Sequence, residues 1–467
     1  MKRSDRFHRE FIHLAVPVAL QGLLQSSFSM VDQILVGQLG EVAIAGIGLA
    51  GRFMSLYSVL LSAIAAVAGI MLAQYMGKQD DRETGRSFYL NLCFGVGLSI
   101  VFLMICEVWP GKVMELYTMD TSVRDAAALY LMITGIGCLP RAFSLLYATL
   151  LRCMGHAAVP LYATGCNAVL DTVLSYLLIF GKFGFPKMGV AGAAAATVAA
   201  QTVECLIIFY FYQSVKNKEE IRLTFAISMN AEKWKQYAGI LAPILVCEFF
   251  WSLGENVYGM IYGRIGTHAC AAMTLIGPIV TLFMGLMGGV AQAAGILTGK
   301  RLGSGEYDLA YGEAKRMCGY GFAGSVILSL TVVLASNVYV SVFQVEDTVR
   351  EMACQLLLVF AIFAPVKVQN MILGGGIVRS GGKTRYIMVV DLIGTWLFGV
   401  PLGLMAAFGL HLTIAPVYFL LSLEECVRLM ITIFIFRKKS WMQGLACLCS
   451  VPFEIERNFK RGKTKRS

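Results

Sequence analysis

Long apolar segments constrain the fold of this chain more than any other feature. About twelve of them approach or exceed the roughly 20 residues that an α-helix needs to cross a hydrocarbon core of about 30 Å. Of its 467 residues, 57% are hydrophobic and only 15% are charged, whereas soluble domains carry about 25% charged residues. The predicted spans are 11–37, 46–75, 88–108, 126–150, 158–180, 189–213, 237–262, 268–298, 315–337, 351–376, 385–408 and 412–436. No soluble core could bury so much apolar surface, so we expect an all-α polytopic membrane protein.

The basic residues lie mainly in alternate loops and in the terminal segments. One loop carries Lys78, Arg82 and Arg86, whereas the next loop along the chain carries only Lys112 and Arg124. This alternation is the positive-inside pattern and predicts a protein of the cell membrane with both termini in the cytoplasm. The net charge of +10 is therefore interpreted as contact with the lipid bilayer, and no nucleic-acid partner is expected.

The two halves of the chain repeat each other at an offset of about 226 positions. Equivalent residues include Pro17 and Pro243, Gly77 and Gly303, and Arg152 and Arg379. We expect an amino-terminal six-helix lobe (1–213), a cytoplasmic linker (214–234), a carboxyl-terminal six-helix lobe (235–437) and a basic cytoplasmic tail (438–467). With six spans in each half, the repeats are parallel, and transporters built this way bind their substrate near the midplane between the lobes.

Two carboxylates at membrane depth mark the candidate cation site of the first lobe. Asp171 lies in the middle of a predicted span, with Asn167 one helical turn before it, and Asp32 lies in the first span. A charge at that depth costs roughly 2.5–3.5 kcal/mol on insertion scales, so by default it indicates an ion or proton pathway. Together with the hydroxyls of Thr164 and Thr197, these oxygens suit either H⁺ or Na⁺, and the residues alone do not choose between the two ions.

A polar stripe on the first span predicts a surface that faces away from lipid. Gln21, Gln25, Phe28 and Asp32 follow one helix face. They could line a substrate cavity, or the glutamines could simply form hydrogen bonds to neighbouring helices.

The second lobe carries different acids. Glu248, Ser252 and Glu255 share one face of the seventh span, with Trp251 beside them, and an aromatic ring next to an acid suits an organic cation. Lys367 on the tenth span could neutralise Asp391 or Glu248, and Lys367 and Asp391 are interpreted either as a buried ion pair or as functional charges.

No motif indicates an enzyme or a bound cofactor. The sequence has no nucleotide-binding glycine loop and no nucleophile–base motif. Its 13 cysteines lack the paired spacing of metal sites. Apart from Na⁺ as a coupling ion, no metal or other cofactor is expected.

Several of these segments together resemble the multidrug and toxic compound extrusion (MATE) family. They run in order over about residues 10–437 and read VDQILVGQLGEVAIAG, LRCMGHAAVPLYATGCNAVLD, FGFPKMGVAGAAAAT, EFFWSLGENVYGMIYGRIG and VRSGGKTR. The resemblance implies a V-shaped pair of six-helix bundles around a central cavity. It also implies that Asp32, Asn167 and Asp171 form the cation site of the amino-terminal lobe, with Thr197 as a hydroxyl on the sixth span. Glu248 stands where many members carry an acid on the seventh span.

The resulting functional hypothesis is a monomeric secondary antiporter. It would export cationic amphiphilic drugs or metabolites in exchange for H⁺ or Na⁺ by alternating access of the two lobes. The alternative is a lipid-linked oligosaccharide flippase of the same wider superfamily. A pyrophosphate cavity should be lined by Arg and Lys, whereas most of the candidate cavity residues named above are acids.

Overall fold

A computed structural model describes residues 3–218, 231–343, 345–442 and 444. Within these ranges the regular structure is helical, with no strand. The helices are α1 Arg3–Gly37, α2 Glu41–Gly77, α3 Asp81–Val108, α4 Pro110–Glu115, α5 Thr121–Ile136, α6 Cys138–Met154, α7 Ala158–Phe180, α8 Val190–Lys218, α9 Ala231–Ile265, α10 Thr267–Gly303, α11 Tyr307–Ser341, α12 Asp347–Gln369, α13 Thr384–Leu392, α14 Val400–Leu404 and α15 Ile414–Arg437. Three π-helical segments extend or join the later helices, namely Asn370–Val378, Ile393–Gly399 and Met405–Gly409.

These helices confirm the predicted polytopic all-α class. In the described residues, 10 helical spans are long and apolar enough to cross a membrane, and α5 with α6 forms an eleventh that bends by 46°. The twelfth predicted span is α15, whose 24 residues reach about 36 Å at the usual helical rise. It carries Glu424, Glu425 and Arg428, which are buried and paired with one another. Its charges are thus neutralised inside the protein rather than exposed to lipid.

Local interruptions of the spans were not predicted from the sequence. The fourth predicted span, 126–150, breaks at Gly137, where a side chain would meet the Gln201 Oε1 atom of α8 at 2.7 Å. The tenth and eleventh spans contain π-helical turns. Such turns frequently occur at functional sites, and both of these flank the charged cluster described below.

The two halves meet through α1 and α2 on one side and α9 and α10 on the other. Two glycines allow the closest approach, at the end of the bundle where α10 finishes in Lys300 and Arg301 and where Lys78 follows α2 (the basic end). A side chain at Gly77 would collide with the Lys300 carbonyl, and one at Gly303 would collide with the Gln74 carbonyl. Because these glycines are equivalent in the repeat, the interface itself is pseudo-symmetric.

The predicted domain limits fall partly outside the described residues. Helix α8 continues to Lys218 and α9 begins at Ala231, so both ends of the predicted linker 214–234 are helical, while residues 219–230 lie outside the described ranges. Most of the tail predicted at 438–467 also lies outside them. Its first residues pack closely, since Trp441 is fully buried and stacks on Phe436 at 5.6 Å.

Candidate functional site

Asp32 and Asp171 lie close together in the amino-terminal half. Helix α1 carries Asp32 and packs against α7, which carries Asp171, and each carboxylate is half-buried. The charge of Asp32 acts on Asp171 directly, and the hydroxyls of Thr197 and Ser175 are the other polar neighbours of Asp171. Like charges in a poorly hydrated site repel each other, which favours uptake of a proton or a metal cation.

Asp171 has an unused acceptor atom. Its Oδ1 is buried and receives no hydrogen bond in the described structure. A buried polar atom without a partner typically costs about 1–3 kcal/mol. No Lys or Arg nitrogen of the described residues lies within 4.0 Å of Asp32 or Asp171. A proton or Na⁺ would satisfy this atom, and the carboxylate and hydroxyl oxygens here are the hard ligands that Na⁺ takes.

Tyr130 joins this cluster from α5, and sequence reasoning missed it. It lies within electrostatic range of Asp32 and Asp171. Tyr130 is one of 19 tyrosines and belongs to an apolar run, so no local signal distinguished it. Only the packing of α5 against α2 and α8 brings its ring to the acids.

Asn167 contacts a third acid rather than Asp171. Its Nδ2 donates to Glu204 Oε2 at 3.0 Å, and the Thr164 hydroxyl donates to Glu204 Oε1 at 2.8 Å. Asn167 and Asp171 do share one face of α7, as their spacing predicted. On that face, however, Glu204 of α8 contacts Thr164 and Asn167. The Asn167 amide therefore donates its hydrogen bond to Glu204, and it shares only a helix face with Asp171.

The polar stripe on α1 divides into two parts. Gln21 is buried, donates to the Thr164 hydroxyl at 2.8 Å and accepts from Arg152 at 2.8 Å, which matches the alternative that it bonds neighbouring helices. Gln25 is exposed and Phe28 is half-buried, and neither residue lines the two cavities described below.

Acids of the carboxyl-terminal half line a cavity of about 410 Å³ beside α9. Glu248 and Trp251 both contribute to it, and Glu248 pairs with Arg379 at 3.6 Å. Ser252 is half-buried and Glu255 is exposed, further along the same helix. Of the residues predicted on this face of α9, only Glu248 and the adjacent Trp251 therefore line the cavity.

The predicted ion pair between Lys367 and Asp391 requires correction. Lys367 Nζ lies 3.9 Å from Glu425, and Asp391 lies 3.9 Å from Arg428 Nε. Arg428 also reaches Glu424 at 3.2 Å and Glu425 at 3.8 Å. Both predicted residues are paired, but α15 supplies their partners because it packs against both α12 and α13.

Equivalent positions of the two halves carry different side chains, as Tyr258 shows. It occupies the position equivalent to Asp32, 226 residues later, and its hydroxyl donates to Glu424. Asp391 similarly accepts from the Cys247 thiol at 2.8 Å. Glu424 and Asp391 are thus held by donors and cations of the protein itself.

A second cavity, of about 390 Å³, lies between the two halves near the basic end. Arg152 of α6 and Arg379 both line it, and it shares Met371, Gly375 and Arg379 with the cavity beside α9. The repeat had matched these two arginines, but nothing in the sequence indicated that they face a common space.

Comparisons with known proteins agree with this arrangement. The MatE family matches residues 17–177 and again residues 243–405, which reproduces the offset of the internal repeat. A probable multidrug resistance protein, NorM of Thermotoga maritima, is 24% identical over 85% of this chain and 84% of its own length. The transporter YisQ of Bacillus subtilis is 21% identical over 93% and 95% of the two chains. The crystal structure of the Vibrio cholerae MATE transporter VcmN in its bent form superposes with a TM-score of 0.84 at 15% identity, covering 94% of this chain and 98% of that one.

Proposed function

This chain belongs to the MATE family of membrane transporters, and on that premise we propose that it is a secondary antiporter that exports amphiphilic organic cations in exchange for H⁺ or Na⁺. We place it in the cell membrane with its basic end in the cytoplasm, as the distribution of Lys and Arg indicates. The names of relatives such as NorM, which is called a multidrug resistance protein, support the choice of drugs and metabolites as substrates.

One observation carries the coupling mechanism, namely the unpaired state of Asp32 and Asp171. Both are half-buried, the charge of Asp32 acts on Asp171, and Asp171 retains an unbonded buried oxygen. A carboxylate pair of this kind takes up a cation when water reaches it and releases it when its surroundings change. Tyr130 and Thr197 would help to position the bound cation.

Alternating access would proceed from the contact between the halves. In the described conformation the lobes are closed at the basic end, where Gly77 and Gly303 allow backbones to touch. Cation binding at Asp32 and Asp171 removes their mutual repulsion and lets α1 and α7 pack more closely. Helix α1 lies between α7 of its own half and α10 of the other half. A shift of α1 toward α7 would therefore change the contact between α1 and α10.

The number of titrating acids sets the available driving force. Exchange of one H⁺ for one monovalent cation is electroneutral, so only the pH difference drives it, at about 1.4 kcal/mol per unit. A second inward proton would add roughly 2.3 kcal/mol per 100 mV. Two acids at one site support that higher stoichiometry, which predicts transport that depends on voltage.

The test is dye transport in proteoliposomes under separately imposed H⁺ and Na⁺ gradients. We expect one gradient to drive transport, and Asp32→Asn and Asp171→Asn each to reduce the rate at least tenfold. Asp347→Asn is the matched control, because this aspartate is exposed at the start of α12. Normal gradient-driven transport in both carboxylate variants would overturn the coupling mechanism. Transport of a lipid-linked sugar without any dye transport would favour the flippase instead.

A further inference from the structure

A series of hydrogen bonds between side chains connects four helices of the amino-terminal half. Arg152 of α6 donates to Gln21 of α1 at 2.8 Å, and the Gln21 amide donates to Thr164 of α7 at 2.8 Å. The Thr164 hydroxyl donates to Glu204 Oε1 of α8 at 2.8 Å, and Asn167 donates to Glu204 Oε2 at 3.0 Å. These five residues form a relay that begins at the cavity between the lobes, which Arg152 lines, and ends beside the candidate cation site.

Glu204 is the only acid of this relay, and both of its oxygens are engaged. Each oxygen accepts a hydrogen bond from a neutral donor, and a carboxylate that only accepts is in its charged form. The positive charges of Arg141 and Arg152 act on it. Asp171 differs, because its Oδ1 is buried and receives no hydrogen bond. Glu204 is therefore suited to hold a neighbouring side chain in place, whereas Asp171 has an oxygen left for a cation.

The neighbour that Glu204 holds is the amide of Asn167. A charged carboxylate accepts hydrogen bonds and donates none, so it selects the Nδ2 end of the amide. The Oδ1 end receives no hydrogen bond from any described residue. Asn167 is half-buried and lies one helical turn before Asp171 on the same face of α7. Hard metal cations take oxygen ligands from carboxylates and from Asn carbonyl groups, so this orientation suits a metal ion at Asp171.

We propose that Glu204 is a positioning residue of the cation site, which holds Asn167 so that its carbonyl oxygen is available to a metal cation at Asp171. Glu204 itself does not bind the cation. Side chains that orient a metal ligand typically contribute about 10–100-fold to metal affinity. The inference rests on the proposed cation site and deepens it, because a proton on Asp171 needs no carbonyl ligand whereas Na⁺ does.

The experiment measures Na⁺ binding without any gradient or dye. The purified full-length protein is unfolded by heat in detergent while NaCl replaces KCl at constant ionic strength. Because a bound ligand stabilises the folded state, the rise in melting temperature gives the half-saturating Na⁺ concentration. We expect Na⁺ to stabilise the wild-type protein more than K⁺ does. Glu204→Gln should raise the half-saturating concentration about tenfold, equivalent to about 1.4 kcal/mol, because a glutamine amide no longer selects one end of Asn167.

Further variants separate positioning from general stability. Glu204→Asp keeps the charge and should retain part of the Na⁺ affinity that Glu204→Gln loses. Thr164→Val removes one donor to Glu204 and should raise the half-saturating concentration by a smaller factor, about threefold. This variant also provides the test if Glu204→Gln does not fold. Two exposed residues serve as matched controls and should give the wild-type value. They are Glu107→Gln near the end of α3 and Thr202→Val on α8, whose hydroxyl bonds only to its own helix.

Either of two results rejects the inference. The first is a wild-type protein that Na⁺ stabilises no more than K⁺. The second is a Glu204→Gln protein that melts at a lower temperature in K⁺ but keeps the wild-type half-saturating concentration, because Glu204 would then have a purely structural role. If the first result accompanies dye transport driven by a proton gradient, the antiport proposal stands alone. If the Glu204 variants lose Na⁺ affinity but no gradient drives transport, the positioning role stands and the antiport proposal fails.

Discussion

The two halves of the protein bury similar acids but surround them differently. In the amino-terminal half, Asp32 and Asp171 face each other, with hydroxyl groups and Tyr130 as their polar neighbours. In the carboxyl-terminal half, Glu424 and Glu425 are joined to Arg428. Burial alone therefore does not distinguish a functional carboxylate from a structural one, and the identity of the partner does.

This difference follows from what a buried ion pair requires. A pair whose hydrogen bonds are complete keeps its charges fixed, and removal of one partner leaves an uncompensated charge. An acid without a cationic partner is free to change its protonation or to bind a metal ion. The repeated fold thus holds a fixed charge network in one half and, in the other, two acids without a cationic partner among the described residues, which we propose to be the exchangeable site.

The largest expected effect concerns Arg428, which holds the carboxyl-terminal network together. Arg428→Gln should destabilise the protein by about 3–5 kcal/mol, because Glu424 and Asp391 would lose the cation that pairs with them and Glu425 would keep only Lys367. Arg350→Gln is the control, since this pair with Asp347 is exposed and should contribute only about 0–1 kcal/mol. Unfolding by SDS in mixed micelles measures both. A loss no larger than that of the control would remove the contrast between the halves.

The contact between the halves gives the next largest effect. Gly303→Ala would press a methyl group against the Gln74 carbonyl, and overpacking of this kind costs about 1–3 kcal/mol. Gly312→Ala on α11 has open space around it and should be neutral or slightly stabilising. Melting temperatures of the two proteins should therefore shift in opposite directions or differ clearly in size. Equal shifts would mean that the lobes do not meet in the described way.

Asp171→Asn should have a small effect on stability, in contrast to Arg428→Gln. The change removes a charge that no described cation balances and preserves the shape of the side chain, so the free energy of unfolding should stay within about 1 kcal/mol of wild type or rise. The same SDS titration measures it, with Asp347→Asn as the reference. A loss comparable to that of Arg428→Gln would show that Asp171 belongs to a structural network after all.

The sequence predicted the spans well because each depends on local composition. All twelve apolar stretches correspond to helical segments in the described residues, since the length of an apolar run is set directly by membrane thickness. The π-helical turns and the break at Gly137 escaped prediction. They depend on contacts between helices, such as that of Gly137 with Gln201, which have no local pattern.

The site was predictable in its acids but not in their partners. Asp32 and Asp171 stood out because charge is rare at membrane depth. The sequence had already placed them together in one candidate site of the first lobe, and the packing of α1 on α7 brings them together in the structure. The partners of Lys367 and Asp391 lay on a third helix, α15, and a choice among several buried acids cannot be made without the arrangement of helices. The two facing arginines were hidden for the same reason.

The smallest expected effect on stability concerns Asp120, an acid outside the membrane-spanning helices. It tests whether the hydrogen-bond partners of a carboxylate keep that carboxylate charged. Asp120 precedes α5 and accepts hydrogen bonds from the Ser122 hydroxyl and from the backbone N–H groups of Ser122 and Val123. These bonds, the hydroxyl first, lower the pKa of Asp120 below its ordinary value.

A folded-state pKa below the unfolded value stabilises the protein above the unfolded pKa, and that contribution is lost as the pH falls through the folded pKa. Asp120→Asn keeps a residue suited to the helix start and removes the titration. The melting temperature of this variant should therefore be slightly lower than that of wild type at pH 7, and the difference should vanish in strong acid. A difference that grows as the pH falls would mean that the hydrogen bonds around Asp120 do not favour its charged form. In that case, hydrogen bonding would no longer serve to tell a fixed carboxylate from an exchangeable one.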